Sequence, residues 1–106
     1  MLDIQYLMLD VLRGLRPLLA AMKSADPNMA DQTRRAATSM VLNTAEARGS
    51  QGGNVRARYC TALGSARELS ACLDCALALG YVESVSNEVL VKLNRVIGGL
   101  VRLSRR

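Results

Sequence analysis

Two short segments hold most of the side chains that could carry a proton, seat a ligand or fix each other in place. The first is Ser39-Met40-Val41-Leu42-Asn43-Thr44-Ala45-Glu46 and the second Ala62-Leu63-Gly64-Ser65-Ala66-Arg67-Glu68. On a helix Ser39, Asn43 and Glu46 fall at i, i+4 and i+7 and share one face. If the segments pair antiparallel about a turn near Gln51-Gly52, Arg35 faces Glu68 and Ser39 faces Gly64 and Ser65. Glu46 then faces the turn carrying Arg56 and Arg58. Such a constellation reads first as a buried hydrogen-bonded and ion-paired seam that sets helix register, because buried polar groups are normally partnered. Gly64 is then expected to allow close helix approach, so that Gly64→Leu would disrupt folding. The alternative is a polar ligand site, or an enzyme centred on Asn43, Glu46 and Glu68. That enzyme reading ranks last, since no nucleophile–base pair or metal set accompanies these residues.

Other chemistry is thinner. Cys72-Leu73-Asp74-Cys75 has the C-x-x-C spacing, with Cys60 three turns earlier. Redox pairs of this spacing use a helix N-terminus to acidify the thiol, and this one falls mid-helix. Zinc would need two more ligands, and the chain contains no His, so no metal site is expected. Small buried apolar side chains are the simpler expectation for these cysteines. Gly49-Ser50-Gln51-Gly52-Gly53 lacks the Gly-Lys-Ser/Thr ending of a phosphate loop and follows no strand, so it reads as a flexible connection. No cofactor is expected, and without His the commonest general base is missing.

The elements that must position these groups are helical. Half of the 106 residues are hydrophobic but only 3% are aromatic, leaving Leu, Val, Met, Ile and Ala to build the core. That palette suits packed helices, and the length suits one domain spanning residues 1–106. A first helix is predicted from about Asp3 to Ser24, with apolar residues at Ile4, Leu7, Val11, Leu15, Leu18 and Met22. Met8, Leu12, Leu15 and Leu19 form a second stripe beside it, and Pro17 predicts a kink. Asp26-Pro27 predicts a cap and start for helix 2, which runs to about Arg48. Asn54 is the expected cap of helix 3, which ends near Leu79 with Gly80 behind it. Ser84 or Ser86 would cap helix 4, whose stripes are Val89, Leu93, Val96, Leu100 and Leu103, flanked by Leu90, Ile97 and Val101. Short connections then give an all-α, antiparallel up-down-up-down four-helix bundle. Two apolar stripes on helices 1 and 4 argue that their outer sides are also buried, which predicts a homo-oligomer.

Charge adds a direction. The net charge is +5, and all but Lys23 and Lys92 of the 14 basic residues are Arg, whose planar fork suits phosphate. The bundle topology gathers Arg48, Arg56, Arg58, Arg102, Arg105 and Arg106 at one end, against Asp3 and Glu46. Those six are the candidate contacts to RNA or DNA, led by the backbone because stacking aromatics are scarce. Their bland counterpart is solvated surface charge helped by helix C-terminal dipoles at Arg48 and Arg102. The opening Met1-Leu2-Asp3 lacks a basic stretch and the Cys are few and odd in number. No signal peptide, no membrane span and a cytoplasmic location are therefore expected.

The helix 2 and 3 segments also carry a family pattern. Met29, Gln32, Arg34, Arg35, Ala36, Ser39, Asn43, Ala45 and Glu46 fit its second helix. Ala62, Gly64, Ser65, Glu68 and the sequence Leu79-Gly80-Tyr81 fit its third. Over about residues 28–103 the chain resembles the four-helix bundle family related to proteins encoded in 23S rRNA intervening sequences. Thr44, Ala47, Cys60 and Thr61 depart from the pattern. The resemblance implies a left-handed four-helix bundle that assembles as a homopentamer, in a family with no established enzymatic activity. Its relatives include the accessory proteins of diversity-generating retroelements, basic pentamers that act with a reverse transcriptase and nucleic acid. A protein-interaction adaptor for such a polymerase-like partner is therefore the alternative to direct nucleic-acid binding.

Overall fold

A computed structural model of the chain describes residues 3–106, and the side chain of Asp3 lies outside the described residues, as do Met1 and Leu2. Four helices follow in order: α1 (Asp3–Ala25), α2 (Pro27–Gly49), α3 (Gly53–Ala78) and α4 (Asn87–Ser104). Each packs on the next and α4 closes against α1, with the α2–α3 hairpin the most intimate pair. The result is an antiparallel four-helix bundle 43 Å long and 24 by 19 Å across.

Local chemistry fixes the helix ends. Asp26 caps α2, accepting from the amides of Asn28 and Met29, both at 3.1 Å, while Pro27 occupies the first turn, where its missing N–H costs nothing. Ser86 caps α4 by accepting from the Val89 amide at 3.2 Å. The α3 cap differs from expectation. It is Gly52, at φ 66, and Asn54 lies inside the helix, because the connection turns through the left-handed region two residues earlier. α3 closes with Gly80 at φ 75; the amide of Gly80 donates to the Leu77 carbonyl and that of Tyr81 to the Ala76 carbonyl. This paired closure satisfies carbonyls that the last turn would leave open. α1 continues through Pro17 to Ala25 as one helix.

The core divides its labour by helix. α1 and α4 supply bulk through Met8, Val11, Leu15, Met22, Leu93, Val96 and Leu100, all at 2% exposure or less. Burying each such side chain is worth about 1.5–3 kcal/mol. α2 and α3 instead bring Ala36, Ala37, Ala47, Ala62, Ala66 and Ala76 inward, so their backbones can approach closely. The core line of α1 thus runs between the two expected stripes, leaving Ile4, Leu7 and Leu18 on one flank and Leu12 and Leu19 on the other, all partly buried.

Thr33 and Thr44 are fully buried, yet each hydroxyl is satisfied inside α2. They donate to the carbonyls of Met29 at 2.7 Å and Met40 at 2.9 Å. The departure at Thr44 therefore leaves no orphan polar group.

α1 and α4 meet through glycines. A Cβ on Gly14 would collide with the Cγ2 of Val89, and one on Gly99 would come to 2.7 Å from the Cδ1 of Ile4. Gly64 has no such role. Nothing lies within 4 Å of where its Cβ would stand, because it points away from α2 into open space. Gly64 therefore does not mediate the close helix approach expected of it. Lys92 Nζ completes the α1–α4 contact, donating to Asp10 at 3.2 Å and to Glu88 at 2.7 Å. These bonds hold the Lys92 ammonium above its usual range and the Asp10 carboxyl below its own.

Candidate functional site

The antiparallel hairpin of α2 and α3 brings most of the predicted seam together. The hydroxyls of Ser39 and Ser65 are 2.7 Å apart. Asn43 Nδ2 donates back to the Ser39 carbonyl at 2.9 Å and to its hydroxyl at 3.1 Å. Arg58 then closes the line, pairing with Glu46 at 3.0 Å and reaching Asn43 Oδ1 at 3.4 Å. One expected pair is absent. Arg35 turns to Asp31 on its own helix, at 3.6 Å, while Glu68 lines the same open groove with Gln32, Arg35 and Ser39. An i, i+4 partner is within reach without crossing to α3, so the local pair wins.

The seam is also shallower than expected. Ser39, Asn43 and Ser65 are half-buried, and Arg35, Glu46 and Glu68 are exposed. The bundle axis lies on the alanine side of α2 and α3, which rotates these polar residues to the outer edge of the hairpin. Among the described residues no buried side-chain nitrogen or oxygen lacks a partner.

The cysteines differ in exposure. Cys72 is buried beside Thr33, and burial pushes its thiol up. Cys60 and Cys75 are exposed, contrary to the expectation of buried fillers, because their helical phase points them outward from α3.

The Arg-rich end forms as the topology predicts, but its members differ. Arg48 Nη1 donates to Gln5 Oε1 at 2.8 Å, tying α2 to α1. Arg56 Nε donates to the Ser104 carbonyl at 3.1 Å, tying α3 to the end of α4. With Arg58 held by Glu46, the three arginines near the α2–α3 connection each give a donor to their own chain. Arg102, Arg105 and Arg106 have no hydrogen bond or ion pair through their side chains among the described residues, and Arg105 and Arg106 stand exposed beyond the last turn. From Val89 to Arg106 the chain carries Lys92, Arg95, Arg102, Arg105 and Arg106 and no acidic residue. Arg95 was not among the predicted contacts, although this one-sided run was readable. The opposite end holds Asp26, whose Oδ2 accepts from Tyr81 Oη at 3.1 Å and keeps that phenol protonated above its usual range. Asp31 also lies there, held below the usual carboxylate range by Arg34 at 2.7 Å.

No helix among the described residues is long and apolar enough to cross a membrane. Comparison with curated proteins and with solved structures finds no match. The family model described as 23S rRNA-intervening sequence protein matches residues 16–102, spanning the last part of α1, the whole α2–α3 hairpin and nearly all of α4. With that match carried on the four-helix architecture just described, the chain belongs to the 23S rRNA-intervening sequence protein family.

Proposed function

We propose that this protein is a non-enzymatic homo-oligomeric bundle that binds the phosphate backbone of RNA or DNA through its Arg-rich end. The observation that carries this reading is the acid-free run of α4 from Val89 onward, in which Arg102, Arg105 and Arg106 have no side-chain partner among the described residues. A guanidinium with no internal partner presents its full donor fork to phosphate. Arg48, Arg56 and Arg58 border the same end and keep donors to spare, since each gives only part of a five-donor group to its own chain. With few aromatics, binding is backbone-led and weak in sequence preference.

Assembly is supported by apolar surface. Tyr6, Leu42 and Leu79 are 58%, 61% and 60% exposed. The flank of α1 toward α2 adds an open groove of about 280 Å³ lined in part by Leu12 and Leu19. Surface of this kind on a small bundle fits burial against further copies, and five copies is the number the resemblance implies. A ring would repeat the basic end around one axis and multiply its phosphate affinity. The cytoplasm, where nucleic acid is accessible and thiols stay reduced, is the compartment this reading assigns.

Fluorescence anisotropy with labelled RNA hairpin, single-stranded DNA and duplex DNA over a salt series tests binding. Affinity that falls steeply with salt is expected. Its absence at low salt refutes direct binding and leaves the adaptor reading, in which the basic end docks an acidic protein surface. Light scattering after gel filtration tests assembly, and a mass near 11.4 kDa would refute it.

A further inference from the structure

Arg102, Arg105 and Arg106 have an ordinary explanation available, because cations near a helix C-terminus complement its dipole. Arg95 does not. It lies more than two turns before the end of α4, beyond the reach of that effect, and like Arg102 it has no partner among the described residues. Arg95 and Arg102 are spaced i, i+7 and line one groove of about 330 Å³ between α1 and α4, with Ile4, Leu7, Gly98 and Gly99 between them. Seven residues of helix set their Cα atoms about 10 Å apart along the axis.

The two glycines on the groove floor differ in a telling way. Gly99 is required by packing, since its Cβ would meet Ile4. Gly98 shows no such requirement: among the described residues, apart from the helix's own backbone, only Arg102 Nη1 comes within 4 Å of its Cβ position, at 3.8 Å. A glycine inside a helix costs about 1 kcal/mol relative to alanine. The fold therefore carries a destabilising residue where a methyl group would fit the monomer. What that methyl would occupy is groove space between two guanidiniums that have no partner among the described residues.

We infer that the α1–α4 groove seats a single nucleic-acid strand, with Arg95 and Arg102 each holding a phosphate and Gly98 keeping the floor between them open to the strand. The inference rests on the nucleic-acid reading above. It adds a binding residue, Arg95, and carries the interface from the helix end along the α1–α4 flank. The apolar floor of Ile4 and Leu7 offers sugar or base a surface, while the guanidiniums supply the attraction.

The test uses the full chain and fluorescein-labelled oligouridylate, with Arg95→Gln, Arg102→Gln and Gly98→Ala measured beside the unaltered protein. Removing one guanidinium–phosphate pair from a single-strand complex lowers the salt slope by about 0.7, which amounts to about fivefold weaker binding at 0.1 M salt. Arg95→Gln and Arg102→Gln are each expected to show that change. Gly98→Ala is expected to unfold at higher urea than the unaltered protein and yet bind several-fold more weakly, a combination that a purely structural glycine does not produce.

If the unaltered chain fails to bind, both the function and this inference fall. If it binds, Arg102→Gln weakens it and Arg95→Gln does not, the groove is refuted while the basic end stands. Loss of assembly in Gly98→Ala, read by light scattering, would make the groove an interface between copies and overturn the inference. Displacement of the RNA by orthophosphate, beyond the effect of chloride at equal ionic strength, would mark a free-phosphate site and overturn it too.

Discussion

Replacing Gly14 by Ala puts the close packing of α1 on α4 to its hardest test. The new Cβ would overlap the Cγ2 of Val89, which is 4% exposed and belongs to the α4 core line. Val89 is β-branched and stiff about χ1, so it cannot swing aside as a long side chain would. Overpacking of this kind costs about 1–3 kcal/mol. Against it stands the helix-propensity gain of Gly→Ala, about 1 kcal/mol. The net loss is up to about 2 kcal/mol. Gly64→Ala collects the same gain with nothing within 4 Å to oppose it, so it should stabilise by up to about 1 kcal/mol. Gly99→Ala falls between, because the atom it meets is the tip of a flexible isoleucine. Equilibrium urea unfolding followed by far-ultraviolet circular dichroism, at one protein concentration, gives the order Gly64→Ala, then Gly99→Ala, then Gly14→Ala. Adding Val89→Ala to Gly14→Ala should make the two changes less costly together than their sum. If Gly64→Ala unfolds at lower urea than Gly14→Ala, the assignment of close approach to α1–α4 is wrong.

Further outcomes follow from the helix ends and the ion pairs. Gly80→Ala should cost about 1 kcal/mol with no steric clash, since its φ of 75 alone disfavours a side chain; urea midpoints check this. Asp26→Ala should cost about 1–2 kcal/mol by opening the α2 cap and freeing the Tyr81 hydroxyl, whereas Asp26→Asn, which can still cap, should cost less. Stability should be level at neutral pH and fall on both sides. The lowered carboxyls of Asp10 and Asp31 contribute above their ordinary value of 3.8 and lose that contribution as pH drops through their folded values. The raised Lys92 and Tyr81 contribute below 10.5 and 10.0 and lose it as pH climbs past their folded values. Urea midpoints across pH should show Asp10→Asn with a shallower acid limb than the unaltered protein.

The helices were legible because their ends are written in local chemistry. Asp26-Pro27, Gly80 and Ser86 each act within a few residues, so the sequence places them without knowing the fold. The α2–α3 register was legible too, since Ser39 with Ser65 and Glu46 with Arg58 follow from one turn position. What the sequence hid was rotational phase. Whether Ser39 and Asn43 sit at the centre or the edge of an interface depends on which face the alanines take, and that is settled by all four helices together. The same uncertainty misdirected Gly64, where a glycine beside a serine reads as a close approach but faces outward. Gly14 and Gly99 were harder to see, as each matters only through a residue far away in the chain, Val89 or Ile4. For the charged end, counting arginines located the patch. Which guanidiniums were already engaged depended on distant partners such as Gln5 and the Ser104 carbonyl.

The most direct test of nucleic-acid binding at the Arg-rich end compares two charge-altered proteins over a salt series with labelled RNA. One carries Arg102→Glu, Arg105→Glu and Arg106→Glu; the other carries Arg48→Gln and Arg56→Gln. The first is expected to lose binding and most of the salt slope while keeping its fold. The second is expected to bind with a smaller loss and to unfold at lower urea. Unchanged binding in the first protein would contradict the assignment of phosphate contacts to the end of α4.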